Sequence, residues 1–600
     1  MTDGDWTNPE GRALVAILYA SPTDTTAADR VAVALNAGAN PVTALLPDAR
    51  KGFAWCRSID TALPSGQSDL ASRVVVDATL VTARSVVILA EEPDAAPRSR
   101  RSGVAPETLD RLAAAAGIAG EWWDMAGERH IVGADTKRAL LAAMGLTADS
   151  TGEARARLAE IADRRERRLL PASVVTREGS SAEVAIASAN ASRRHRALLC
   201  LQHEDGAERL LPVAIDDLPA NVVTATDGRA VTQRILTLPP LPVGYHTLRF
   251  NDDSGHLCRV VVTPEKCFLR PEIRDGARRF GLAAHLYALR RRGDQGIGDF
   301  TTLSILSQTT ARAGGSVVGI NPLHALFADD RERASPYHPS DRRFLDPIYV
   351  DVERVPDLAA SREARALLED NGRLIAALSA RADVDYTAVW QVKRTVLDAC
   401  FAHFEQRSGA DLLVAEFDRF VAAGGLPLQQ FARFEAIAAA HPRLPWYRWP
   451  HALREPDASG IADFAGRHAR RVRFALYLQW LADRQLGAAA RHARAGGLTL
   501  GFFRDLAVGA APDGAEVWAN PRAFARGASI GAPPDPFSTA GQNWNLPPPN
   551  PETLVASAGA GFRDLLAANM RHAGALRIDH VMGLSRLFWI PEGATAADGA

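Results

Sequence analysis

From about residue 280 onward the chain alternates short apolar runs of strand length with long helical stretches, and this alternation most restricts what it can fold into. The strand candidates are Gly281 to Tyr287, Ser316 to Asn321, Leu498 to Arg504 and Ala575 to His580. Between the second and third, residues 355–494 carry helical periodicity, as in Val472-Leu476-Trp480 and Phe474-Leu478-Leu481, and read as an insertion that walls a groove. Strands and helices in alternation predict a (β/α)₈ barrel, whose site gathers at the C-terminal ends of its strands. Asn321, Asp505 and Asp579 fall at such ends.

The last of these runs carries the sharpest chemistry. Ala575-Leu576-Arg577-Ile578-Asp579-His580-Val581-Met582-Gly583 is an apolar strand that delivers an aspartate and then breaks at a glycine. Alternation puts Arg577 and Asp579 on one face, where the guanidinium can keep the carboxylate ionised and aimed. A carboxylate at a strand tip beside a cation is how a retaining sugar enzyme presents its nucleophile. A strand-end salt bridge is the structural alternative.

Other blocks turn the balance. They are Gly281-Leu282-Ala283-Ala284-His285-Leu286-Tyr287, Gly296-Ile297-Gly298-Asp299-Phe300, Gly319-Ile320-Asn321-Pro322-Leu323-His324-Ala325-Leu326 and Ser335-Pro336-Tyr337-His338-Pro339-Ser340. After the insertion come Arg504-Asp505-Leu506-Ala507-Val508-Gly509, Gly531-Ala532-Pro533-Pro534-Asp535 and Gly541-Gln542-Asn543-Trp544. In this order and spacing they resemble the 4-α-glucanotransferases, the amylomaltases of glycoside hydrolase family 77. The resemblance implies transfer of an α-1,4-glucan segment to the 4-hydroxyl of another glucan, through a covalent glycosyl-enzyme, in glycogen or maltodextrin metabolism. It implies Asp579 as nucleophile, Arg577 as its holder, and His580 and Tyr337 at the sugar beside it. Asp505 would order the site. Ser335, Asn321, Asp535, Gln542 and Trp544 would contact substrate, the last three from a mobile loop that keeps competing water out. The family has Gly after this Trp; Asn545 stands here and tolerates the same left-handed geometry. Asp299 reads equally as a helix cap or as a ligand contact, His324 as partly structural, and Asp385, before Tyr386, as an N-cap.

A retaining mechanism needs a second carboxylate as acid and base. In this family that is a Glu in a Gly-Glu-Asp-Leu-Gly block, with a third Asp in a His-Asp-Asn block, and neither block occurs here. The expectation is therefore an incomplete TIM-like barrel and an inactive fragment of a larger protein. Asp5-Trp6-x-x-Pro9 resembles the interior of a debranching enzyme, which extends the expectation to a debranching enzyme–amylomaltase fusion cut at both ends. A non-catalytic glucan-binding or regulatory piece remains the alternative, and an α-amylase-like hydrolase a further one.

The 600 residues predict a multidomain chain of about three to five units. Two β-sandwiches and a small helical domain are expected ahead of the barrel. Residues 1–92 read as short strands, at Ala13 to Tyr19, Arg30 to Leu35, Pro41 to Leu46, Val74 to Val76 and Ser85 to Leu89, with a turn at Pro64-Ser65-Gly66. With Asp60-Thr61-Ala62 and the Ala83 to Leu89 strand they resemble the C-terminal sandwich of isoamylase-type debranching enzymes, which implies no catalytic role. Residues 93–106 read as a linker, whose basic tract Arg98 to Arg101 is a solvated spacer. Residues 107–168 read as helical, with Asp135 capping a helix over Thr136 to Met144 and Gly145 at its C′ position. This segment, including Trp122-Trp123, resembles the N-terminal helical element of long amylomaltases. Residues 171–264 return to period-2 alternation and read as an immunoglobulin-like sandwich.

A net charge of −1 favours a neutral substrate over nucleic acid or an anionic membrane. The five cysteines are scattered without a C-x-x-C, which points away from disulfides and structural zinc and toward a reducing cytoplasm. Neither a signal peptide nor a membrane span is read, and no cofactor or metal is expected.

Overall fold

The computed structural model describes all residues except 1–10, 21–28, 48, 51–52, 63–77, 94–102, 126, 188–195, 253–254 and 275. The Asp5-Trp6 segment, the turn at Pro64-Ser65-Gly66, the strand at Val74 to Val76 and the tract Arg98 to Arg101 lie outside the described residues. Two compact units are present, Met1–Ala105 with Asp149–Thr151, and the remainder.

In the first unit an antiparallel sheet runs in the order Ala13–Ala20, Asp29–Asn36, Ser85–Pro93, Phe53–Asp60. A smaller sheet pairs Val42–Leu45 with Ala78–Val81. Alternation along Asp29–Asn36 turns Ala32 and Ala34 inward, where they join Trp55, Val87 and Leu89 against Ala44 and Val81. Asn36 ties the layers together: its buried amide donates to the carbonyls of Val81 and Thr82.

The second unit opens with helices, but residues 107–168 are not wholly helical. Glu121–Trp123 and Arg129–Ile131 form a hairpin between the helices Pro106–Ala116 and Ala134–Ala143. Gly127, at φ 81°, supplies the positive φ its turn needs. Trp122 stacks on His130 at 4.1 Å and meets Phe588 edge-on at 5.5 Å. Asp135 is not the cap; Gly133 holds that position, and Asp135 sits in the first turn paired with Arg138. Gly145 adopts φ 77° just past the helix end.

A second β-sandwich follows. A sheet of Ala182–Ala187, Ala230–Leu238 and Ala220–Thr224 faces one of Glu208–Ala214, Arg196–Gln202, Gly244–Phe250, Leu257–Thr263 and Ser173–Arg177. Val184, Ile186, Leu199, Leu201, Leu248 and Val260 fill the space between them. The strands that sequence alternation does not reveal, Ser173–Arg177, Glu208–Ala214 and Ala220–Thr224, bury few side chains and so lack an apolar period.

The region from Gly281 onward is barrel-like. Strands β1 (Gly281–Ala284), β2 (Val317–Ile320), β3 (Gly501–Leu506) and β4 (Ala575–Ile578) form an open parallel sheet in chain order. Helix α1 (Phe300–Arg312) returns from β1 to β2. Its N-cap is Asp299, which accepts from the Thr302 N–H at 2.8 Å and pairs with Arg291, so the ligand-contact alternative for Asp299 is not met. Between β2 and β3 stand α2 (Tyr386–Phe404), α3 (Leu412–Ala438) and α4 (Ala469–Ala495). Asp385 caps α2 through the Ala388 N–H. Phe401 and Phe404 of α2 pack on Tyr477 and Trp480 of α4, in a core continuous with Val318 of β2 and Phe502 of β3. The third strand starts at Gly501 rather than Leu498, because Leu498 closes the end of α4. After β3 come the short helix α5 (Ala515–Ala519) and α6 (Ala560–Met570), which leads into β4. Gly574 admits that strand: a Cβ there would lie 1.4 Å from the Leu500 carbonyl oxygen. Among the described residues no helix is long and apolar enough to cross a membrane, and all five cysteines are free thiols.

Candidate active site

Parallel pairing of β3 with β4 sets Asp505 opposite Arg577. The Arg577 guanidinium uses this register: Nη1 donates to both Asp505 oxygens at 2.8 Å, and Nη2 donates to Asp579 Oδ1 at 2.7 Å. One cation therefore bridges two carboxylates, one nearly buried (Asp505, side chain 8% exposed) and one open to solvent (Asp579, 30%). The hydrogen bond to Asp505, ahead of charge effects, raises the Arg577 pKa further above its ordinary value. Tyr337 completes the group by donating its hydroxyl to Asp505 Oδ2 at 3.0 Å. Burial first, and this hydrogen bond second, push the Tyr337 phenol up to about 12, so it stays protonated and donating at neutral pH.

Beyond β4, His580 takes a left-handed conformation (φ 51°, ψ 59°) and its ring meets Trp544 edge-on at 5.0 Å. Trp544 belongs to the loop after Ala528–Ala532 and donates its indole N–H to Gln542 Oε1 at 2.9 Å. Asn545 has φ 53°, the geometry expected of a residue standing where the family has Gly. Its carbonyl accepts from His338 Nε2 at 3.3 Å, which ties the loop to the Ser335–Ser340 block. A cavity of about 430 Å³ results, lined by Ser335, Tyr337, Val508, Trp544, Leu546 and Asp579 among others.

Three expected contact residues lie elsewhere. Asn321 is buried and saturated: it accepts from the Leu286 N–H at 2.7 Å and donates to the Pro322 carbonyl and the Tyr349 hydroxyl, joining the ends of β1 and β2. Asp535 folds its own turn by accepting from the N–H groups of Phe537 and Ser538. Gln542 supports Trp544 and does not line the cavity. His324 is structural: its Nε2 accepts from the Ala507 N–H, and burial, then Arg504 and Arg342, lower its pKa to about 3 and keep it neutral.

Behind the cavity lies a group that sequence reading missed. Arg342 donates to the carbonyls of Ala507 and Val508, at 3.3 and 2.8 Å, and to the buried carboxylate of Glu516 on α5 at 2.6 Å. His338 was legible as part of its block, whereas nothing local links Arg342 to a carboxylate 174 positions away. Among the described residues Asp579 is the one carboxylate lining the cavity. The one side-chain group among them with ligand spacing for a metal, Asp124, Glu128 and His130, belongs to the N-terminal hairpin.

Comparison with known proteins agrees with this geometry. Residues 284–600 match the family described as 4-alpha-glucanotransferase, and residues 169–264 match the MalQ N-terminal beta sandwich domain. The 4-alpha-glucanotransferase of Mycobacterium tuberculosis is 38% identical over 508 residues, covering 82% of this chain and 68% of that protein. That of Haemophilus influenzae is 37% identical over 379 residues, 61% of this chain and 54% of its own. The amylomaltase of Corynebacterium glutamicum superposes with a TM-score of 0.68 at 30% identity, covering 82% of this chain and 68% of that one. A strand-end aspartate, its bridging arginine and a family match over residues 284–600 converge, and the chain belongs to the 4-alpha-glucanotransferases, a family of glycosyltransferases.

Proposed function

We propose that this glucanotransferase works on maltooligosaccharides and α-1,4-glucans by two displacements at Asp579. Asp579 attacks the anomeric carbon, the C–O bond to the leaving sugar breaks, and an acceptor 4-hydroxyl later displaces the aspartate with the α-configuration retained. The observation that carries this reading is the Arg577 bridge, which aims Asp579 into the cavity while fixing it to Asp505 behind. Tyr337 lies under the same sugar, and Ser335 contacts it from the cavity wall. His580 and Trp544 close the site from above, favouring a carbohydrate acceptor over water and hence transfer over amylase-like hydrolysis. The four parallel strands are read as the start of a (β/α)₈ barrel, and five free thiols fit a reducing cytoplasm.

One observation favours a second reading, a glucan-binding site without turnover: among the described residues Asp579 alone supplies a carboxylate to the cavity. A donor whose leaving group needs no proton separates the two. With α-maltosyl fluoride, the 600-residue polypeptide should release fluoride, and Asp579→Asn should slow this by more than about 10³-fold. Reaction with maltotriose should be slower by the 10²–10⁴-fold, roughly, that general acid catalysis supplies. Maltotriose binding without fluoride release would establish the binding role instead.

A further inference from the structure

A second cavity, of about 830 Å³, shares no lining residue with the one at Asp579. It lies in the helical insertion, between one face of α2, the first turns of α4 and the Ala328–Arg331 loop. On α2 the residues that face it recur at helical spacing, Thr387, Gln391, Arg394 and Asp398. Arginine dominates the wall: among the described residues Arg331, Arg394, Arg443, Arg470 and Arg471 stand against three carboxylates, those of Asp329, Glu363 and Asp398.

These arginines are not equally engaged. Arg470 is paired with both Asp398 and Glu405, at 2.9 and 3.0 Å. Among the described residues the Arg471 side chain has no hydrogen-bond or ionic partner, and Arg394 has none beyond a charge interaction with the carboxyl of Glu435. Arg331 is nearly buried (side chain 4% exposed), donates Nη1 to both oxygens of Asp346, and lies 4.3 Å over the Trp390 ring, yet its Nε and Nη2 have no partner. Those two atoms are enclosed and do not open onto the cavity, so Arg331 contributes its positive charge and its stack on Trp390 to the wall rather than a free donor edge. Glu435 does not neutralise this wall. Burial first, then Asp329, push its carboxyl up to about 8, so it is mostly protonated at neutral pH.

We propose that this cavity binds a phosphate-bearing small molecule, held by Arg394 and Arg471 and backed by the Arg331–Trp390 stack. Planar guanidinium forks match phosphate oxygens, and like charges gathered in a concavity concentrate positive potential. A neutral glucan would bring no counter-charge to Arg471, nor to Arg394, whose neighbour Glu435 is mostly protonated. The volume exceeds what a phosphate ion fills and lies in the range of small-molecule sites, with Leu367 and Phe474 as an apolar side for the rest of the ligand.

The test is calorimetric titration of the 600-residue protein, in low-salt buffer free of phosphate, with inorganic phosphate, glucose 6-phosphate and glucose. Either phosphate compound should bind and glucose should not. Tighter binding of glucose 6-phosphate identifies a sugar phosphate as the ligand, and equal binding identifies phosphate alone. The double variant Arg394→Gln/Arg471→Gln should weaken binding at least tenfold and leave fluoride release from maltosyl fluoride unchanged. Both arginines are exposed, so the substitutions spare the core. Absence of binding, binding indifferent to the double variant, or binding displaced by maltotriose would overturn the proposal.

Discussion

Replacing Glu516 by Gln tests whether the cavity is built on a buried charge pair. The Glu516 carboxylate takes four hydrogen bonds from Arg342, one from its backbone N–H and three from its guanidinium, and the paired side chains are 9% and 12% exposed. Burial alone would raise the carboxyl pKa. The Arg342 charge and its hydrogen bonds overcome that and bring it from 4.5 down to about 2. A drop of that size corresponds to about 3 kcal/mol. Breaking a buried pair by removing one partner costs roughly 3–5 kcal/mol, the same order. Because the folded pKa lies below the unfolded one, this stabilisation is present above pH 4.5 and is lost as pH falls through about 2. Glu516→Gln should therefore cost about 3 kcal/mol at pH 7 but only about 1 kcal/mol at pH 3. Hydrogen exchange along Gly501–Leu506 and Ala515–Ala519 in increasing urea reads this region apart from the sandwiches. Since Arg342 also holds the Ala507 and Val508 carbonyls behind the cavity, fluoride release should fall with stability. A loss below about 1 kcal/mol at pH 7, or one equal at both pH values, would refute the reasoning.

Tyr337→Phe keeps the ring but removes a hydrogen bond to a charged group, worth about 1.5–3 kcal/mol, and should slow fluoride release roughly 10- to 100-fold; a loss as deep as that of Asp579→Asn would make Tyr337 part of the chemistry. Asn545→Gly should leave turnover within about twofold, while Asn545→Val, at φ 53°, should destabilise the loop by about 1–2 kcal/mol and raise KM for maltotriose as acceptor; equal behaviour of the two would mean that loop geometry is irrelevant. Deleting residues 1–92 should change solubility or stability more than fluoride release, since the first unit packs its own core; a folded deletion variant without turnover would contradict this.

How far the sequence reached follows from the range of the interactions involved. Arg577 and Asp579 share a face because strand alternation is local, and the 2.7 Å contact needs nothing else. The positive φ at Gly145 and Asn545 and the cap at Asp385 were equally legible, since each depends on a few neighbouring residues. The four parallel strands could be read from apolar runs bounded by helices, whereas exposed sandwich strands such as Glu208–Ala214 could not, because an exposed strand carries no apolar period. Tertiary structure decided the rest. Asn321 fits a binding residue by motif, but the Leu286 N–H and the Tyr349 hydroxyl, far off in sequence, saturate its amide. Trp122 sits in a segment read as helix and lies on a hairpin, where His130 and Phe588 cover its ring. The sharing of Arg577 between Asp579 and Asp505, 72 residues away, depends on the register of β3 against β4, and the Arg342–Glu516 pair on how α5 packs. Local geometry is written along the chain; which buried charges meet is settled only when distant segments pack and exclude water.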